Sequence, residues 1–117
     1  MTGDSFIQAL LCLVAERERE NGVNGMLGIM FMIRNRVNAG WCGGDWLKVL
    51  DDRPEQVVHF PDVRDPSFQR VLQEADGVYD GSTADTLTNG ALYCGSLSRP
   101  YLGHERVAQI GTLTFWK

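Results

Sequence analysis

The chain is poor in the residues from which most reactive centres are built. Its 117 residues include only two histidines and three cysteines. Cys12, Cys42 and Cys94 form no C-x-x-C pair and cannot all be paired, so they read as free thiols, with Cys12 a small hydrophobe on an apolar helix. That usage fits synthesis in a reducing cytosol. His59 and His104 have no H-x-x-x-H spacing, so neither a zinc site nor any other cofactor is expected. A glycine-rich phosphate loop and strand–helix alternation are both absent. Basic residues are outnumbered 11 to 15, and the net charge of −4 speaks against a nucleic-acid partner. The same charge gives no help in docking on anionic envelopes. No apolar run is long enough to span a bilayer, since Met26 to Ile33 makes only about two helical turns. The opening Met-Thr-Gly-Asp-Ser lacks the basic region of a secretory signal. The expectation is a protein made in the cytoplasm that meets any outside target by delivery or release.

What is present is ordinary globular composition, 44% apolar and 22% charged. The length suits one domain over 1–117. Asp4 or Ser5 can cap a first helix through Phe6, Ile7, Leu10, Leu11, Leu13 and Val14. Gly22 ends it, and Asn24 is a cap for a second helix from about Gly25 to Val37, closed by Asn38-Ala-Gly40. That second helix is apolar all round, which predicts a central core helix, and Gly25 and Gly28 allow close approach of another backbone. Trp41 to Trp46 is a loop of aromatics and glycine, suited either to stacking on a sugar or to anchoring the core. Asp45 can cap a short helix through Leu50. Asp51 to Val63 reads as irregular with room for one short strand, and has one apolar patch at Val57, Val58 and Phe60. Asp65-Pro66 starts a further helix whose stripe is Phe68, Val71, Leu72, Ala75 and Val78, with Gly81 just beyond. Ala91–Cys94 and Gly111–Trp116 have strand composition, joined by a long connection. Helices first and a small antiparallel pair last make an α+β arrangement.

The stretch with chemical promise is Leu13-Val-Ala-Glu-Arg-Glu-Arg-Glu-Asn-Gly22, where an apolar helix stops on a burst of charge. Glu16 is the first carboxylate after the buried run. A carboxyl at the lip of a cleft with restricted water is where a general acid is wanted, because partial desolvation favours the protonated form. A solvated helix end is the plainer reading of such a run. Extended as a helix, the wheel puts Arg17 near the middle of the apolar face and Glu16 and Glu20 on its flank as i,i+4 neighbours.

Four blocks, in order, resemble the cell wall hydrolase family of spore-cortex lytic enzymes (SleB type). Ala15-Glu16-Arg-Glu-Arg-Glu20-Asn-Gly-Val-Asn-Gly25 resembles its A-E-A-R-G-E-x-x-x-G. Ile33-Arg-Asn35-Arg36-Val37 matches its I-x-N-R-V. Asp85-Thr86-Leu-Thr-Asn-Gly90-Ala91-Leu-Tyr93 is similar to its D-x-T-x-G-A-x-x-Y, and Ile110 to Lys117 to its closing I-G-x-H-x-F-Y. Pro54-Glu55-Gln56 echoes its P-x-Q-F. The stretch from Glu16 to Gly25 is one residue longer than the family's, and loops accept insertions more easily than helices, which places the extra residue after Glu20. Leu113 stands where the family tends to have histidine.

The resemblance implies a mainly helical, lysozyme-like α+β domain that cleaves peptidoglycan between N-acetylmuramic acid and N-acetylglucosamine. It puts Glu16 at the acid position. A lytic transglycosylase manages with one carboxylate, whereas a hydrolase normally needs two, about 5 Å apart if retaining and about 6.5–9.5 Å if inverting. Glu20 and Asp85 are the candidates for a second, though Asp85 can equally order its turn and Glu20 can pair with Arg19 or Arg36. Gln56, Thr88, Asn89 and Tyr93 are candidates to line the cleft and supply dipoles to an oxocarbenium-like transition state. Asn35 and Arg36 are expected to cap the central helix and to pair with a carboxylate. The alternatives are a muramidase-type hydrolase, an inactive peptidoglycan- or protein-binding relative, and a cysteine peptidase or amidase using Cys42 with His59 or His104.

Overall fold

Alternating capping chemistry and apolar stripes set out the helices of this chain. The computed structural model describes residues 3–51, 64–95 and 103–117. Within them run α1 (Gly3–Ala15), a 3-10 segment (Glu16–Asn21), α2 (Gly22–Asn38), a short 3-10 turn (Trp41–Gly44), α3 (Trp46–Asp51) and α4 (Pro66–Asp80). Strands β1 (Tyr93–Gly95), β2 (Arg106–Ile110) and β3 (Leu113–Trp116) follow. The expected α+β order of helices first and antiparallel strands last holds for these elements. Pro54, Glu55, Gln56, the Val57–Phe60 patch and His59 lie outside the described residues.

The apolar second helix is the centre of the core, as its sequence predicts. Every residue of α2 from Gly25 to Arg34 is buried, and the helix packs on α1, α3, α4 and the sheet. It begins earlier than expected, at Gly22, so Asn24 is an exposed helical residue and not a cap. Asn21 holds the N-cap position but spends its side chain elsewhere, donating to Glu18 Oε2 at 3.0 Å and accepting from Thr112 N at 2.9 Å. Likewise α1 begins at Gly3, which places Asp4 and Ser5 in its first turn. The close approaches at the two glycines come mainly from side chains. A Cβ on Gly28 would stand 2.7 Å from Phe115 Cζ, and one on Gly25 would stand 2.5 Å from Asn21 Cβ and 3.3 Å from the Glu18 carbonyl.

Helix α4 follows its cap signals closely. Asp65 accepts from Ser67 N at 2.8 Å, Pro66 occupies the first turn, and Gly81 closes the helix with φ +83°. Phe68, Val71, Ala75 and Val78 are buried, but Leu72 is exposed because it sits beside the stripe and not on it. Asp45 caps α3 as expected, accepting from Leu47 N at 3.0 Å and Lys48 N at 3.3 Å.

The sheet has one strand more than the expected pair. β3 is central, with β1 antiparallel on one side and β2 antiparallel on the other. The β2–β3 hairpin turns through Gly111-Thr112, so Gly111 belongs to the turn and the strand starts at Leu113. A bulge at Val107 interrupts the pairing, and Asn89 Nδ2 donates to the Val107 carbonyl at 2.9 Å. Leu113, Thr114, Phe115 and Trp116 are all buried.

Candidate active site

Glu16 sits where the α-helical period ends. Up to Ala15 the chain is α-helical; from Glu16 it tightens into the 3-10 segment, with Glu18 outside helical geometry at φ −102°, ψ 25°. The change of period overturns the wheel beyond Ala15. Arg17, which an extended helix would bury, is half-buried, whereas Glu16 is only 2% exposed. Glu16 is the one carboxylate buried among the described residues. Glu20 is exposed, and the i,i+4 relation to Glu16 does not form because the helix is broken between them.

A buried carboxylate needs a partner. Arg19 Nη1 donates to Glu16 Oε1 at 3.3 Å, and Arg19 Nη2 pairs with Asp65 Oδ2. One guanidinium therefore bridges the candidate acid to the residue that caps α4. The expected pairing of Arg19 with Glu20 gives way to this bridge. Below Glu16, Cys12 Sγ lies 4.0 Å from the Val71 carbonyl. Burial pushes the Cys12 thiol up to about 11, and the Glu16 carboxylate adds to the rise. Cys12 is thus a neutral neighbour, and no thiolate chemistry competes at this point. Arg19 and Asp65 are functional candidates that sequence reasoning missed, because an ion pair spanning 46 residues leaves no local pattern.

The other predicted residues gather at the far end of α2. Gly25 and Arg36 are eleven residues apart on that helix, about 16 Å at 1.5 Å per residue. There Asp85 orders its own turn. Its carboxylate accepts from Leu87 N at 3.1 Å, Thr88 N at 2.8 Å, Gly90 N at 3.0 Å and Asn35 Nδ2 at 3.1 Å, and from the Thr88 hydroxyl. Burial works to raise its pKa, but the hydrogen bonds from Thr88, Asn35 and Gly90 outweigh it and hold the carboxyl below its ordinary range. Thr88 is fully buried and turned to Asp85, and Asn89 adopts φ +55° to reach the Val107 bulge. Asp85, Thr88 and Asn89 have structural bonds to make.

Asn35 and Arg36 hold this segment to α2. Asn35 Nδ2 also donates to the Ala91 carbonyl at 3.0 Å, and Arg36 Nε donates to the Leu92 carbonyl at 2.7 Å. The expected contact of Asn35 with a carboxylate is present, and the helix is closed by Ala39 and Gly40, as expected of Asn38-Ala-Gly40, without a side-chain cap from Asn35 or Arg36. Tyr93 packs in an aromatic group with Trp41 and His104, their ring centroids 5.6 and 4.3 Å from its own. Trp46 pairs with Tyr79 at 5.1 Å, joining α3 to α4. Gln56 lies outside the described residues. Among those described, no group of three or more His, Cys, Asp or Glu is placed to hold a metal ion, and no helix is long and apolar enough to cross a membrane.

Neither a family model, nor a curated protein, nor a solved structure matches this chain.

Proposed function

We propose that this chain cleaves the glycan strands of peptidoglycan between N-acetylmuramic acid and N-acetylglucosamine, as a lytic transglycosylase with Glu16 as general acid on a lysozyme-like framework. The observation that carries the reading is the burial of Glu16 at the end of the first helix, 2% exposed. The four sequence blocks that carry the resemblance are also bonded to one another. Asn21 of the first meets Thr112 of the fourth, Asn35 of the second meets Asp85 of the third, and Tyr93 of the third pairs in register with Trp116 of the fourth.

In this reaction the Glu16 carboxyl gives its proton to the glycosidic oxygen as that oxygen leaves the anomeric carbon of the muramoyl sugar. The 6-hydroxyl of the same sugar attacks the anomeric carbon and returns a proton to Glu16. The products are a 1,6-anhydro end and a free 4-hydroxyl on N-acetylglucosamine. One carboxylate suffices, which suits a chain in which Asp85 accepts five hydrogen bonds and Glu20 is exposed.

A muramidase is the second reading, favoured by one feature: Asp65 shares Arg19 with Glu16 and so lies near it. Against it, Asp65 already accepts from Ser67 N and Arg19. Digestion of purified peptidoglycan by wild type and Glu16→Gln, read by mass spectrometry of the muropeptides, separates these. Anhydro ends lost in the variant support the transglycosylase. Reducing ends mean hydrolysis, and no products from wild type leave a binding relative, consistent with Leu113 standing in the core at the family's histidine position.

A further inference from the structure

We propose that Trp41, Tyr93 and His104, backed by Arg36, form a sugar-stacking platform for the glycan strand at the C-terminal end of α2. This deepens the peptidoglycan reading and rests on it. Glu16 lies on the segment leading into the other end of that helix, so the platform grips sugar units remote from the bond that is cut. Four parts of the chain converge on it: the end of α2, the 3-10 turn, the edge strand β1 and the approach to β2. The Arg36 guanidinium lies 4.5 Å over the Trp41 ring and 5.9 Å from that of Tyr93. Tyr93 meets Trp41 edge-on at 61° and His104 at a tilt of 48°. Trp41 and Tyr93 are half-buried and His104 is exposed, so the stack opens to solvent through rings whose bases are fixed.

The Trp46–Tyr79 pair, which joins α3 to α4 with ring centroids 5.1 Å apart, is the aromatic pair against which this group is tested. The neighbouring polar residues Asp85, Thr88 and Asn89 are taken up by structural bonds. Recognition at this end of α2 therefore falls to ring faces, which suit the apolar C–H faces of pyranose rings, while Arg36 stiffens the stack.

The test is binding, in a Glu16→Gln background so that the polymer stays intact. Co-sedimentation with purified peptidoglycan sacculi is measured for Glu16→Gln alone and combined with Trp41→Ala, His104→Ala or Trp46→Phe. The expected result is a loss of affinity of about three- to tenfold for Trp41→Ala and for His104→Ala, and none for Trp46→Phe. Trp41→Phe keeps a ring and guards against misfolding; with it, the tryptophan fluorescence change on adding a β-1,4-linked N-acetylglucosamine tetramer should disappear, whereas Trp46→Phe should retain it. Unchanged affinity in folded Trp41 and His104 variants overturns the platform alone. If the Glu16→Gln protein itself does not sediment with sacculi, the peptidoglycan reading falls and the platform with it.

Discussion

Glu16 and Asp85 are both drawn out of bulk water, and their partners separate their uses. Asp85 is tied down by five donors, and its depressed pKa makes it a source of stability that depends on pH. The unfolded chain binds the proton more readily, so the contribution is complete above the unfolded value of about 3.9 and is lost as pH falls through the lower folded value. Asp85→Asn should therefore cost about 2–3 kcal/mol at pH 7, in the range of lost charged hydrogen bonds. The gap to wild type should narrow by pH 3. Urea unfolding at both pH values checks this. At Glu16 the partner is a single arginine whose side chain is 48% exposed. A double-mutant cycle of Glu16→Gln and Arg19→Met should give a coupling of about 0.5–1 kcal/mol, small because solvent screens one side of the pair. A coupling near zero would mean that Asp65 alone holds Arg19.

The fit between α2 and the sheet is set by the absence of a side chain at Gly28. A methyl group there would stand 2.7 Å from Phe115 Cζ and 3.1 Å from Ile110 Cδ1. Phe115 is fully buried on the central strand and has no room to retreat. Gly28→Ala should thus lower stability by about 1–3 kcal/mol despite alanine's better helix propensity, and thermal melts should show it. Legibility in the sequence follows the same physics. Helix α4 could be read almost to the residue, because Asp65, Pro66 and Gly81 announce its ends through local chemistry. The apolar α2 could be read because nothing but a core accommodates it. Strand β2 could not, since Arg106-Val-Ala-Gln-Ile owes its conformation to β3 and carries a bulge that breaks alternation. The end of α1 was also hidden, because nothing in Ala15-Glu16-Arg17 announces a change from α to 3-10. That Glu16 is the first carboxylate after the apolar run was legible in the sequence, whereas its bridge to Asp65 is a tertiary contact with no trace in local spacing.

For the whole molecule, the three thiols report on depth and on mechanism together. Cys12 is buried between α1 and α4 with its thiol raised to about 11, Cys94 is half-buried on β1, and Cys42 is exposed on the turn between α2 and α3. Reactivity needs both access and thiolate, so alkylation at pH 8 should modify Cys42 first and Cys94 later. Cys12 should react only through global opening, at a rate that tracks the free energy of unfolding and rises with denaturant. Mass spectrometry of quenched samples resolves the three sites. This ordering also separates the two chemistries open to the chain. If Glu16 is the working acid, Cys42→Ser, which adds no bulk beside Trp41, keeps its activity on peptidoglycan, because that thiol lies beyond the far end of α2. If activity instead disappears in step with Cys42 modification, and Cys42→Ser is equally dead while Glu16→Gln is active, the glycosidic mechanism is wrong and a cysteine nucleophile takes its place.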